Sequence, residues 1–436
     1  MARSGAVNVF LEDGSSRAEW AFRLLLEELL GLELAFTNKR PADETPVSPL
    51  INYSAWQVPG AFNVSPHGLL SEKGIREQEI VRLDFNGQAV FFPVQGGDLP
   101  FDPFAMAFYL ASRYEEYLAF EPDQHGRFPA RASLAHRRGF IQVAVVNRLA
   151  SILRKELLKK YPDLHFKKNQ YSFIPTIDVD IAFAHLGKGF VRTSGAFVKL
   201  LFAGRFGEIG KRLHTMQGKA HDPFDNFGMI REVCEMHGLR PKFFILAGNT
   251  GTYDRNLSPA NKRFATLIRE LSTYADIGVH PSYGAGTDLD RIRAEMDRIS
   301  AITGKAVEIS RQHFVRLRFP DTYEVLLQAG IREDYSMGYA EVQGFRASIA
   351  SPYYHYDLNT EQTTSLRIYP FMFMDSSLAD YQGLPPEKYA EAVKPVIDET
   401  RTLGGTLTGI WHNYAMADDE RKHAAFREIF NYAAHP

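Results

Sequence analysis

The period of apolar and polar positions changes several times along the chain, and the changes divide it. Residues 7–11 (V-N-V-F-L) are a short run of strand type. From Ser16 to Leu30 the apolar residues Ala18, Trp20 to Phe22, Leu24 to Leu26, Leu29 and Leu30 recur at helical period. The pattern predicts a strand, an amphipathic helix and a second strand over 32–37. Val81 to Phe85 and Ala89 to Val94 flank Asn86-Gly87, the pair that two-residue hairpin turns favour because both central positions need positive φ. A helix is expected from about Pro103 to Leu118, with the charges of its S-R-Y-E-E-Y stretch on a solvated face. His125, Gly126 and Arg127 fall in a polar loop, and a basic helix follows over about 142–160. This half shows no catalytic constellation, so residues 1–168 are expected to form a smaller α/β accessory or substrate-presenting domain.

The charged, Pro-marked segment 161–170 is the expected boundary. After it, short apolar strands alternate with helical stretches, at 173–181, 242–247, 275–280, 306–309, 330–335, 365–369 and 405–411. That rhythm predicts a β/α barrel or doubly wound sheet over 169–436, with its chemistry at the C-terminal ends of the strands. The segment 185–223 breaks the rhythm with Gly-rich, basic and apolar stretches such as F-V-K-L-L-F. Without a strong amphipathic pattern running through it, it is expected as an insertion packed over the rim rather than a membrane-surface helix. In D-P-F-D-N-F, at 222–227, the acids read as ordinary helix caps.

Composition narrows the function. Fifty Lys and Arg against 52 Asp and Glu give a formal charge of -2, and 45% of residues are hydrophobic, which describes an ordinary globular surface rather than a nucleic-acid binder. The single cysteine, Cys234, lies in a helical stretch, so an internal disulfide is impossible and a buried inert thiol is expected. The opening residues M-A-R-S-G-A-V-N-V-F-L-E-D lack a signal peptide's apolar core, and no apolar run is long enough to span a bilayer. The expectation is a cytoplasmic protein without stable membrane insertion. An aromatic content of 13% would suit a groove that stacks sugar rings, though aromatic side chains at this level more often fill cores.

The candidate chemistry centres on F-I-P-T-I-D-V-D-I, at 173–181, where two carboxylates interrupt an apolar, β-branched strand. Strand side chains alternate, so Asp178 and Asp180 share one face, roughly 6 to 7 Å apart, while Ile177, Val179 and Ile181 face a core. Two like charges so placed need a cation or hydrogen-bond donors to compensate them. Either a metal ligand beside a general base or a pair of acid/base carboxylates would supply the reason, and a frayed strand end facing solvent is the bland alternative. Other polar residues fall at strand ends too: His280, Arg311 with His313, Asp334, and His412.

In order and spacing, T-I-D-V-D, I-G-V-H-P-S, R-Q-H-F, E-D-Y-S-M-G and T-G-I-W-H-N resemble the five-motif series of the polysaccharide deacetylases, the NodB-homology or carbohydrate esterase family 4. The resemblance covers about 171–420 and implies a distorted or incomplete β/α barrel and metal-dependent removal of an N-acetyl or O-acetyl group from a carbohydrate. It implies Asp178 as base, Asp180 and His280 as metal ligands, Arg311 as the arginine that holds the base, and His412 as general acid. The family's second histidine ligand belongs where this chain has Gly284, and His313 is expected to substitute for it. Asp334 is expected to hold the tautomer of His412, and Arg346 in G-F-R-A rivals Arg311. The ligand types suit a divalent metal, zinc above all, and the expected partner is a carbohydrate. An inactive sugar-binding relative is the second class. A glycosidase using Asp178 and Asp180 is the third, although the acid such sites carry shortly after the pair is here Ile181 and Ala182.

Overall fold

The V-N-V-F-L run forms β1 (Val7–Leu11), the centre of a four-stranded parallel sheet with β2 (Leu34–Thr37), β3 (Leu50–Tyr53) and β4 (Phe62–Val64), in the order β2-β1-β3-β4. The computed structural model describes residues 6–41, 46 and 48–435; Met1–Gly5, the start of the segment expected to lack a signal peptide's apolar core, lie outside it. The first helix, Ser16–Phe22, is capped by Ser15, whose Oγ accepts the Ala18 N–H at 3.1 Å, and continues over Arg23–Glu28 as a π-helix. The Asn86-Gly87 turn joins β5 (Arg82–Phe85) to β6 (Gln88–Phe91) as an antiparallel hairpin, with φ of 54° and 77° at its two central residues. The helix Pro103–Ala111 is apolar and buried all round, so it is a core element rather than an amphipathic surface helix. It ends before Arg113, which takes a left-handed φ of 60°, and S-R-Y-E-E-Y turns inward. The expectation of a solvated face is therefore corrected: Arg113, Glu115 and Glu116 are all buried.

The second sheet has nine strands: β7 (Ser172–Val179), β8 (Lys242–Ile245), β9 (Asp276–Val279), β10 (Ile309–Ser310), β11 (Glu333–Asp334), β12 (Tyr353–Asp357), β13 (Gln362–Ile368), β14 (Phe373–Met374) and β15 (Thr406–His412). Their order is β12-β13-β11-β10-β9-β8-β7-β15-β14, parallel throughout except for the antiparallel β12–β13 pair. The α/β class with a parallel sheet is thus as expected. Hydrogen bonding does not close the sheet: its edge strands, β12 and β14, share no register among the described residues. The strands nonetheless curl, because the ring centroids of Phe244 on β8 and Tyr335 just after β11 lie 5.3 Å apart across two intervening strands.

Gly278 on β9 lets this interior fill. A Cβ there would stand 2.7 Å from the Phe244 ring and 2.8 Å from Ile309. Because Gly278 offers none, Phe244 keeps the place from which it supports the Arg311 guanidinium, 4.5 Å above its ring. The apolar core runs without interruption from the first sheet into the second. No helix is long and apolar enough to cross a membrane among the described residues.

Candidate active site

Register brings the polar strand ends together. Asp178 on β7 is paired with His412 on β15, and Ser310 with Val279, which sets Arg311 level with His280 on the same face of the sheet. Asp180 follows two residues after Asp178. Asp178, Asp180, His280 and His412 border one cavity of about 330 Å³ at the C-terminal ends of the strands, together with His313 and Tyr414.

Three imidazoles point at Asp180. The Nε2 of His280 lies 3.1 Å from Oδ1, and those of His313 and His412 each lie 3.6 Å from Oδ2. Each ring is oriented from behind through Nδ1. That of His280 donates to the Arg311 carbonyl at 2.6 Å, that of His313 to Asp254 Oδ1 at 3.0 Å, and that of His412 to Asp375 Oδ1 at 2.7 Å. Acceptor-only partners require the proton on Nδ1, so the neutral form of each ring turns an Nε2 lone pair toward the carboxylate. Asp180, His280 and His313 offer ligand atoms all within 4.8 Å of one another.

The donor set fits a divalent cation on a further observation: Asp180 Oδ1 is buried and accepts no hydrogen bond, though a histidine lone pair stands 3.1 Å away. Two acceptors at that separation repel unless a proton or a cation lies between them. Burial opposes the charge on Asp180, but the His313 and His280 imidazoles outweigh it and hold its carboxyl well below the usual carboxylate range. Burial likewise opposes the imidazolium of His313, yet Asp180 and Asp254 push it up to about 9. Against the same penalty, Asp375, Asp180 and Asp178 push His412 up to about 10.

Asp178 is set apart from Asp180 by its partner. Arg311, fully buried, donates from Nη1 to Asp178 Oδ1 at 2.9 Å and from Nε to the Tyr335 carbonyl at 3.0 Å. The other carboxylate oxygen, Oδ2, lies 3.7 Å from His280 Nε2. One charge-assisted bond to a fixed guanidinium orients Asp178 and leaves an oxygen for the cavity.

Two expectations are corrected. Asp334 pairs in register with Ser310, on the face opposite Arg311, and its carboxylate accepts from the Ser310 and Ser336 hydroxyls at 2.8 and 2.9 Å. The acid behind His412 is instead Asp375, just after β14, which also accepts the His412 backbone N–H at 2.7 Å. Arg346 is no rival to Arg311, because it is buried against Glu116, with Nη2–Oε2 at 2.5 Å. Asp254 carries no signal in the sequence. It accepts the N–H groups of Tyr283 and Gly284 at 2.7 and 3.0 Å, so the position that lacks a histidine anchors the acid that orients His313.

The first half, in which the sequence shows no catalytic constellation, also reaches the cavity. Gln124 and Arg127 line the cavity. Arg127 Nε donates to Asp123 at 2.7 Å, Nη1 to the Phe314 carbonyl at 2.8 Å, and Nη2 to the Tyr381 hydroxyl at 3.0 Å. The loop is thereby strapped across residues that follow β10 and β14.

Residues 7–162 match the model of a family of unknown function, DUF7033. No curated protein matches the chain. Among solved structures the chain is similar to a putative polysaccharide deacetylase from Mycobacterium smegmatis, at 16% identity over 62% of this chain and 85% of that one, with a TM-score of 0.41. A probable polysaccharide deacetylase from Pseudomonas aeruginosa PAO1 gives 12% identity, 61% and 85% coverage and a TM-score of 0.39. PuuE allantoinase gives 11%, 61% and 84%, also with a TM-score of 0.39.

Proposed function

We propose that the chain is a metal-dependent hydrolase that removes an acetyl group from a carbohydrate, an N-acetyl group in the first instance, on an incomplete β/α barrel that is open between β12 and β14. The observation that supports this most is the convergence of three Nδ1-anchored imidazoles on Asp180, with a second, arginine-held carboxylate beside it. Asp180, His280 and His313 would hold the cation. A divalent ion in that place supplies Lewis acidity, polarising the acyl carbonyl and acidifying a water.

The remaining steps belong to the chain. Asp178, fixed by Arg311, takes a proton from the water as its oxygen bonds to the acyl carbon. His412, aligned by Asp375, protonates the leaving nitrogen at Nε2 as the carbon–nitrogen bond breaks, giving acetate and a free amine. Tyr381 and Tyr414 line the cavity and supply aromatic surface to a sugar, while Gln124 and Arg127 bring polar groups to it from the first half. Residues 1–168 would thus act as a domain that completes the substrate site.

The test is to measure metal content and acetate release with N-acetylated chito-oligosaccharides, for zinc-loaded wild type and for Asp180→Ala. Stoichiometric metal and acetate release in wild type, both lost in the variant, are expected. Metal bound without any acetate released would sink the reaction, and no bound metal would sink the site.

A further inference from the structure

The segment between β7 and the helix Phe227–Met236 departs from its expectation as packed cover. It forms two helices, Gly189–Phe202 and Phe206–Met216, joined by a short turn. Their side chains are inverted relative to a buried insertion. Of eleven exposed large hydrophobic residues among those described, six fall here: Val198, Leu201, Phe202, Phe206, Leu213 and Met216, with Phe202 87% and Phe206 66% exposed. Arg212 and Thr215 are meanwhile buried. Phe202 and Phe206 stand at the two ends of the turn, so the most exposed rings sit at the tip of the helical pair.

Charge has the same address. Residues 188–221 hold seven Lys and Arg and one acid, Glu208, in a chain whose formal charge is -2. Glu208 is paired with Arg205, whereas exposed Lys199, Lys211 and Lys219 have no acidic partner among the described residues. Phe and Leu at a tip flanked by lysines combine the two features that seat a helix in a lipid interface, apolar rings for the acyl boundary and cations for anionic headgroups. A second copy of the same surface would oppose these positive charges to each other. A convex tip also matches a deformable surface better than a rigid groove.

The stems of the pair are fixed beside the candidate site. Asp222 accepts the N–H groups of Ala184, His185 and Leu186 at 2.7, 2.8 and 3.0 Å. Asn226 donates to the carbonyl of Asn413, the residue after His412, at 2.9 Å, and Asn413 returns a bond to the Phe224 carbonyl at 2.8 Å. Asp222 is therefore a clamp rather than only a cap. We propose that this helical pair docks the protein on a bilayer surface bearing anionic headgroups, with Phe202 and Phe206 entering the interface, and so holds the rim of the cavity next to lipid. Docking of this kind is independent of the reaction assigned to the cavity.

The test is flotation of the full chain with vesicles of phosphatidylcholine alone or with about 30 mol% phosphatidylglycerol, beside Phe202→Ser/Phe206→Ser and Lys199→Glu/Lys211→Glu double variants. Wild type is expected to float with the anionic vesicles and to bind neutral ones at least about tenfold more weakly, and each variant should lose about tenfold on anionic vesicles with an unchanged melting temperature. Wild type that stays unbound, or variants that float as wild type does, would overturn it. So would wild-type dimers in light scattering that Phe202→Ser/Phe206→Ser dissolves while no vesicle binds.

Discussion

Asp178 and Asp180 look equivalent in the sequence and differ in what faces them, a guanidinium for the first and three imidazoles for the second. Asp178→Asn should lower kcat by about 10²- to 10⁴-fold, the usual contribution of a general base, and leave metal content intact. Asp180→Ala should lose the metal instead, so a variant that still binds a full equivalent would remove it from the ligand set. Asp254 acts one step back. Asp254→Ala frees His313 to turn, and metal affinity measured by chelator competition should fall by about 10- to 100-fold, as for other residues that orient a ligand. At this scale the motif order named the residues that gather around Asp180 and missed the acids behind them. Asp375 follows a two-residue strand that leaves no period to read, and Asp254 lies in a loop, where nothing but its fold neighbours marks it. Asp334 misled because a strand of two residues gives no alternation from which to tell its faces.

Among the elements, the buried turn Tyr114–Tyr117 is where local sequence and tertiary context disagree. Charges three apart in a helical stretch read as solvated, but the left-handed Arg113 ends the helix and sends Glu116 into Arg346, at 2.5 Å. Periodicity could not foresee a partner so distant in the chain. Glu116→Gln leaves the buried Arg346 guanidinium without its counter-charge and Arg113 with Glu115 alone, and should cost about 3 to 5 kcal/mol in denaturant unfolding. A loss under about 1 kcal/mol would show that the cluster contributes little. On β12, His355 is buried against the Phe319 and Tyr323 rings, and this burial pushes its pKa down to about 4. The unfolded chain, with a histidine near 6.5, binds a proton that the folded chain refuses between those values. Its contribution is fully present above about pH 6.5 and is lost as pH falls toward 4, by about 3 kcal/mol. His355→Gln should flatten the fall in melting temperature between about pH 7 and pH 5; an unchanged slope would assign that fall to other groups.

For the molecule as a whole, the candidate site is shared between the two halves. Arg127 comes from the first half and binds the Phe314 carbonyl and the Tyr381 hydroxyl of the second. Arg127→Ala should raise KM more than it lowers kcat, because it touches the wall rather than the reacting carboxylates. An equal drop in kcat with KM unchanged would place it in the chemistry instead. The alternation of strands and helices was enough to expect a parallel α/β sheet after residue 169, and the Asn-Gly hairpin was legible to within three residues. The strap was not, since polar loop residues carry no periodic signal of what they will meet.

The pairing of Glu116 with Arg346 also imposes a schedule on biosynthesis. The two residues are 230 positions apart, so a ribosome adding about 5 to 20 residues per second makes the second one roughly 10 to 50 seconds after the first. Throughout that interval the nascent first half holds Glu116 with only the neighbouring Arg113 to answer it, and the apolar surface that the later strands will cover is still bare. Burial of the early half is completed only when the later strands arrive.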